Sequence, residues 1–118
     1  MKCTIARVQD AKKAGPDDGF RVLVDRLWPR GVRKDDLDHD RWAKELAPST
    51  ELRQRFGHDP DKFADFRTDY LAELQHSDEA GRVARELVGL PTVMLLYSAH
   101  DTEHNQAVVL KEWLEGLS

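Results

Sequence analysis

Asp25, Arg26 and Arg30 stand close together in the stretch Val22-Leu-Val-Asp-Arg-Leu-Trp-Pro-Arg-Gly31. Two guanidiniums there can offer planar forks to a phosphate or a carboxylate. Asp25 can hold an arginine in place or take a proton. Further along, Tyr97-Ser-Ala-His-Asp101 is followed by His104 and Asn105. The two segments are expected to meet and form a pocket for a small anionic metabolite. Arg26, Arg30, Tyr97, His100 and Asn105 are its candidate binding residues, and Asp25 and His104 its candidate acid–base pair.

Each of these residues also has a structural reading. Asp25 can cap local N–H groups while Arg26 pairs with a carboxylate. Trp28 suits packing better than ligand stacking, and Tyr97 can donate one structural hydrogen bond. Asn105 can orient a ligand or tie the last helix to the Asp25 loop. His58-Asp59 resembles a catalytic pair, but Asp59 already has a capping role before Pro60. His100 and His104 are four apart and lack the intervening Glu of an HExxH zinc site, so no metal is expected. Cys3 lies in a predicted strand with no activating pattern around it. The chain has no GxGxxG, no GxxxxGK[ST] and no CxxxxxR loop, so no dinucleotide, P-loop or cysteine-phosphatase chemistry is expected, and no cofactor.

The elements that must position these groups can be read from the hydrophobic pattern. Thr4–Val8 reads as a strand and Gln9–Gly19 as a loop rich in Gly, Pro and Asp. Phe20–Leu27 is a second strand, with the nearly continuous apolar run of one covered on both faces. Pro29 and Gly31 end it. Gly31–Leu46 is read as a segment with a short helix, capped by Asp38 or Asp40 and turning Trp42 and Leu46 to one side. Ser49 caps a helix that ends at Gly57, and Asp59-Pro60 starts the next. Ser77 caps another, stopped by Gly89 and Pro91. Thr92–Tyr97 is the clearest strand, and Asp101 or Thr102 is expected to cap the last helix. The pattern predicts an α/β fold: a small parallel or mixed sheet flanked by helices on both faces. Ligands in such folds bind beyond the C-terminal strand ends, where Asp25–Arg30 and Tyr97–Asp101 fall. Exposed N–H groups at the start of the last helix would add to an anion site.

At 118 residues the chain reads as one domain, 1–118, without a separable linker. Its charged share of 34% and hydrophobic share of 40% suit a small folded protein. The formal net charge is −4, which argues against general duplex-DNA binding. The first half is more basic: residues 1–60 carry 13 Lys/Arg against 11 Asp/Glu, and residues 61–118 carry 5 against 11. No apolar run reaches membrane-spanning length and no signal-peptide core is seen. With one cysteine, a cytoplasmic location is expected.

The same motifs carry a family resemblance. Val22–Gly31, Lys44-Glu-Leu-Ala-Pro-Ser-Thr-Glu-Leu-Arg53, Phe56-Gly-His-Asp-Pro60, Leu95-Leu-Tyr-Ser-Ala99 and Asn105-Gln-Ala-Val-Val-Leu110 are similar to the YeaO-like branch of the domain-of-unknown-function 488 family. The resemblance spans nearly the whole chain and implies a compact α/β domain of bacterial cytoplasmic type, with no general biochemical activity attached. Members commonly have lysine where this chain has His100 and histidine where it has Gln106. An anion-binding lysine would be replaced only partly by His100 at neutral pH. A metal-binding or basic histidine would be lost at Gln106. Thiol chemistry of more distant, Cys-containing relatives does not carry over. A transcription-regulator label finds no helix-turn-helix with a basic face here.

Three functional readings follow. One is an enzyme or enzyme-like protein acting on an anionic metabolite. Another is a non-catalytic module for a nucleotide, a single nucleic-acid strand or a protein, with Trp28 or Trp42 exposed for stacking. In the third, the charged residues chiefly lock the sheet to the last helix.

Overall fold

Apolar runs and helix caps set out the architecture. The computed structural model describes residues 1–118. Four strands form one sheet: β1 (Lys2–Arg7), β2 (Phe20–Leu23), β3 (Arg41–Trp42) and β4 (Thr92–Tyr97). Their spatial order is β1-β4-β2-β3 and every pairing is parallel. β4 therefore lies in the middle, which explains its uninterrupted apolar sequence. The α/β class read from the sequence is the one observed.

Alternation along the strands divides the core. Cys3, Val22, Val24, Val93, Leu95 and Tyr97 face the four α-helices. Leu23 and Leu96 point the other way, onto Val8, Val32 and Leu37. Helices flank both faces as expected only in an unequal sense: all four α-helices lie on one face, and the other has 3₁₀ turns alone. Gly15-Pro16, Pro29 and Gly31 break the polar connections on that second side into pieces too short for longer helices. The first face carries α1 (Thr50–Phe56), α2 (Phe63–His76), α3 (Asp78–Val88) and α4 (Gln106–Leu117). The other carries 3₁₀ turns at Val8–Asp10 and Lys34–Asp36, with irregular backbone between. No helix is long and apolar enough to cross a membrane.

Caps place the helices. The Ser49 hydroxyl accepts from the Leu52 N–H at 3.1 Å, and Gly57 closes α1 in the left-handed region at φ 55°. Glu73 of α2 grips Ser49 in turn, accepting from its N–H at 2.9 Å and its hydroxyl at 2.6 Å. The Tyr70 hydroxyl donates to the Leu46 carbonyl and fixes the approach to α1. Asp59-Pro60 opens a 3₁₀ turn that leads into α2. Ser77 caps α3.

Three segments differ from the expected elements, the first being β2, which ends at Leu23 short of the expected Leu27. Gly31–Leu46 holds two 3₁₀ turns and the two-residue edge strand β3 in place of an α-helix. The cause is Arg21, buried in β2. Its backbone N–H donates to the Asp40 carboxylate at 2.8 Å and its Nε to the Asp38 carbonyl at 2.7 Å. The Asp38 carboxylate accepts from the Ala14 N–H at 2.8 Å. Both expected cap residues thus serve Arg21 and its neighbouring loop. α4 begins later than expected, because Asp101 caps only the turn before it and Asn105 caps the helix itself.

Candidate functional site

The ladder continues one residue past β2, where the Val24 N–H donates to the Leu96 carbonyl at 3.0 Å. Asp25 then emerges beside the end of β4. One carboxylate oxygen accepts from the Ser98 hydroxyl at 2.5 Å and the other from the Gln106 amide at 2.6 Å. The Asp25 carbonyl accepts from the Trp42 indole N–H at 2.8 Å. Asp25 therefore joins β2, β3, β4 and the first residue of α4. Burial pushes its carboxyl above the ordinary carboxylate range, against the pull of Ser98, Gln106 and the Arg53 charge.

A cleft of about 390 Å³ opens over this junction. Its polar wall includes Asp25, Arg26, Arg53, Ser98, Asn105 and Gln106, with Arg30 and His58 also lining it. Leu27, Trp28, Pro48, Phe56, Phe66 and Ala99 supply apolar surface. The position beyond the β2 and β4 ends, beside the strand-order reversal, is where α/β sheets hold ligands. A larger depression of about 520 Å³ lies at the opposite strand ends, but Lys2 and Asp17 are its only charged residues.

Arg26 is half-buried and donates from Nε to the Pro48 carbonyl at 2.9 Å. Arg30 is exposed and Arg53 half-buried. None of the three forms an ion pair with a carboxylate. Arg33, Arg82 and Arg85 likewise meet no carboxylate, but each is exposed and outside this cleft; Arg7 also lies outside it and is held by the Ala99 carbonyl and His100. Beside Arg53, the chain turns sharply through Gly57 and His58, and His58 takes a positive φ of 57°. A positive φ is uncommon for a residue with a side chain.

The expected site residues separate into three groups. Asp25, Arg26, Arg30 and Asn105 line the cleft together. Asn105 is buried; its side-chain oxygen caps α4 by accepting from the Val108 N–H at 3.1 Å, and its amide donates to the Asp101 carbonyl at 2.9 Å. Tyr97 is packed in the core below, where burial pushes its hydroxyl up despite the nearby Asn105 side chain and the Arg7 charge. His100 and His104 lie outside the lining. His100 pairs with Arg7 across 2.8 Å. His104 pairs with Asp101 across 2.9 Å and sets its ring edge-on to Phe63. Neither reaches Asp25.

Ser98, Arg53 and Gln54 join the lining beyond the expected residues, as do His58, read from the sequence as part of a structural His58-Asp59 pair, and Gln106, read as a departure from the family's histidine. Ser98 sat inside the quoted Tyr97–Asp101 motif, which was the available signal. Arg53 and Gln106 also fall in motifs shared with the family, and Gln106 stands where relatives carry histidine, but their meeting with Asp25 depends on how α1 and α4 dock. Cys3 is buried and its thiol is pushed up to about 11, by burial first and Glu115 second, the environment of an inert thiol. No group of three or more His, Cys, Asp or Glu converges as a metal site would.

Comparisons with known proteins agree with these motifs. A family model described as the inactive DUF488-N3 subclade matches residues 2–117. The uncharacterised protein YeaO of Escherichia coli (strain K12) is 45% identical over 117 residues, covering 99% of this chain and 100% of YeaO. The uncharacterised protein Rv3073c of Mycobacterium tuberculosis (strain ATCC 25618 / H37Rv) is 41% identical over 112 residues, covering 95% of this chain and 92% of that protein. No solved structure matches. A match along almost the entire chain, both to the family model and to YeaO, means that this protein belongs to the YeaO-like branch of the domain-of-unknown-function 488 family.

Proposed function

We propose that the chain binds a small anionic metabolite in the cleft between Asp25 and Arg53, and does so without turning it over. The observation that carries this reading is the convergence of Arg26, Arg30 and Arg53 on one cleft with no carboxylate paired to any of them. Guanidiniums held in a partly apolar cleft attract an anion more strongly than the same groups in open water. Asn105 lines the same cleft.

Binding without turnover fits the state of the acid–base candidates. Both Asp25 oxygens are already engaged, and His104 is turned to Asp101 outside the cleft. The word "inactive" in the family model's description points the same way. A catalytic reading rests on Asp25, whose carboxyl is raised by burial beside the arginines. It predicts a bound anion that is also consumed.

A nucleic-acid strip is less favoured. The Trp28 and Trp42 indole N–H groups are spent on the Val32 and Asp25 carbonyls. The Lys44 ammonium sits 4.0 Å over the Trp42 ring, where a base would stack. The net charge of −4 disfavours duplex DNA. A cytoplasmic location belongs to the proposal, because a lone buried Cys3 suits a reducing compartment.

Thermal unfolding in phosphate, sulfate, nucleotides, short RNA and Zn²⁺ tests the reading. A ligand of the folded state raises the midpoint by mass action. Wild type should gain stability from one class of anion, and Arg53→Ala and Arg30→Ala should lose that gain. Equal shifts in all three proteins would defeat the reading.

A further inference from the structure

The cleft holds a second feature that a site for a bare oxyanion does not need. Leu27 lies between Arg26 and Trp28 on its wall and is 63% exposed. Leu117, at the end of α4, is the other large apolar side chain left this exposed. Leu27 stands at the mouth, with Pro48, Phe56 and Ala99 also lining the space. A volume of about 390 Å³ lies within the range of small-molecule sites and leaves room beyond a single tetrahedral anion. The charge balance is also specific. Three arginines and one carboxylate line the cleft, so two positive charges stay uncompensated with Asp25 ionised. One dianion neutralises them and a monocarboxylate does not.

We infer that the ligand is an organic phosphate monoester, its dianionic phosphate held by Arg26, Arg30 and Arg53 and its ring-sized apolar body lying across Leu27. The inference rests on the anion-binding reading and specifies its chemistry. The arginine forks match phosphate oxygens two at a time. Covering Leu27 removes apolar surface from water, which an inorganic anion cannot do.

Isothermal titration of the full chain with phenyl phosphate, orthophosphate and benzoate tests this. Wild type should bind phenyl phosphate about tenfold or more tightly than orthophosphate, and benzoate more weakly than phenyl phosphate. Leu27→Ser alters an exposed side chain. It should reduce phenyl phosphate to the affinity of orthophosphate and leave orthophosphate unchanged. Equal binding of the two phosphates by wild type would overturn the organic body and leave the anion site standing. Benzoate binding as tightly as phenyl phosphate would overturn the phosphate. If neither phosphate bound, or Arg53→Ala bound them as wild type does, the anion-binding reading would fail together with this one.

Discussion

Asp25 is the residue on which fold and site both depend, and its removal has two separable consequences. Asp25→Ala leaves the Ser98 hydroxyl and the Gln106 amide without their acceptor. A hydrogen bond to a charged group contributes roughly 1.5–3 kcal/mol. Ser98 and Gln106 are only half-buried, so water recovers part of that loss, and relief of a buried carboxylate offsets more. The net cost is about 2–4 kcal/mol, which for a chain of this size lowers the melting temperature by roughly 10 °C. Asp25→Asn isolates the charge, because a flipped Gln106 amide can accept from the new side-chain amide. In the unfolded chain Asp25 titrates near its ordinary value of about 4; in the folded protein burial raises it. Below the unfolded value both states hold the proton and the folded state carries no penalty. As pH rises from there through the folded value, the folded state holds more protons than the unfolded one, so stability is lost. The stability of wild type relative to Asp25→Asn should therefore fall across that window and level off above it. Urea unfolding of both proteins at closely spaced pH values measures the difference. A difference that rises with pH, or stays flat, would refute the burial argument.

Other positions give independent tests. Arg21→Met keeps the bulk but removes the donors to the Asp18 carboxylate and the Ala11 and Asp38 carbonyls; it should cost about 3 kcal/mol in urea unfolding and speed proteolysis in the 11–18 loop. Asn105→Ala should cost about 1–2 kcal/mol through loss of the α4 cap, with faster amide exchange at Val108 as its local sign. Gly31→Ala meets no neighbour at φ 79° and should cost about 1 kcal/mol for the left-handed conformation alone. Gly19→Ala adds a clash with the Thr92 backbone at φ 73°, so its melting temperature should fall well below that of Gly31→Ala.

The parts legible in the sequence are those set by local chemistry. Val22–Val24 and Thr92–Tyr97 read as strands because both faces are covered, and Ser49, Gly57 and Ser77 mark helix ends by their own side chains or conformations. Asp25, Arg26 and Arg30 could be placed near a site because they follow directly from a strand end. The region around Asp38 and Asp40 misled because a carboxylate beside a possible helix looks like a cap. Its real partner, the Arg21 backbone, is 19 residues from Asp40, and a buried arginine in a strand leaves no local mark. The same applies to the site. Gln106 meets Asp25 across 81 residues and Ser98 across 73, so these contacts follow from β4 lying beside β2, not from any motif. His104 was misleading for the opposite reason: its partner, Asp101, is only three residues away.

A purely structural account of the charged cluster explains Asp25 but not its neighbours. Locking β2 to β4 and α4 uses both carboxylate oxygens and needs only Ser98 and Gln106. Elsewhere the arginines that serve as ties have partners: Arg21 meets Asp18, Arg41 meets Glu86, Arg67 meets Glu112, and Arg7 is held by the Ala99 carbonyl and His100. Arg26, Arg30 and Arg53 share a cleft with a carboxylate already committed elsewhere. Arg26 contributes one tie, to the Pro48 carbonyl; Arg30 and Arg53 have no side-chain partner that would explain their convergence. Keeping like charges together costs stability through mutual repulsion, and a lock gains nothing from it. An anion that arrives from outside turns that repulsion into attraction. On this argument Asp25 builds the floor and the arginines line the space beside it, so Arg30→Ala should weaken anion binding while leaving the protein as stable as before, or more so; Arg53→Ala should weaken binding too, but it also removes the charge that favours the ionised Asp25.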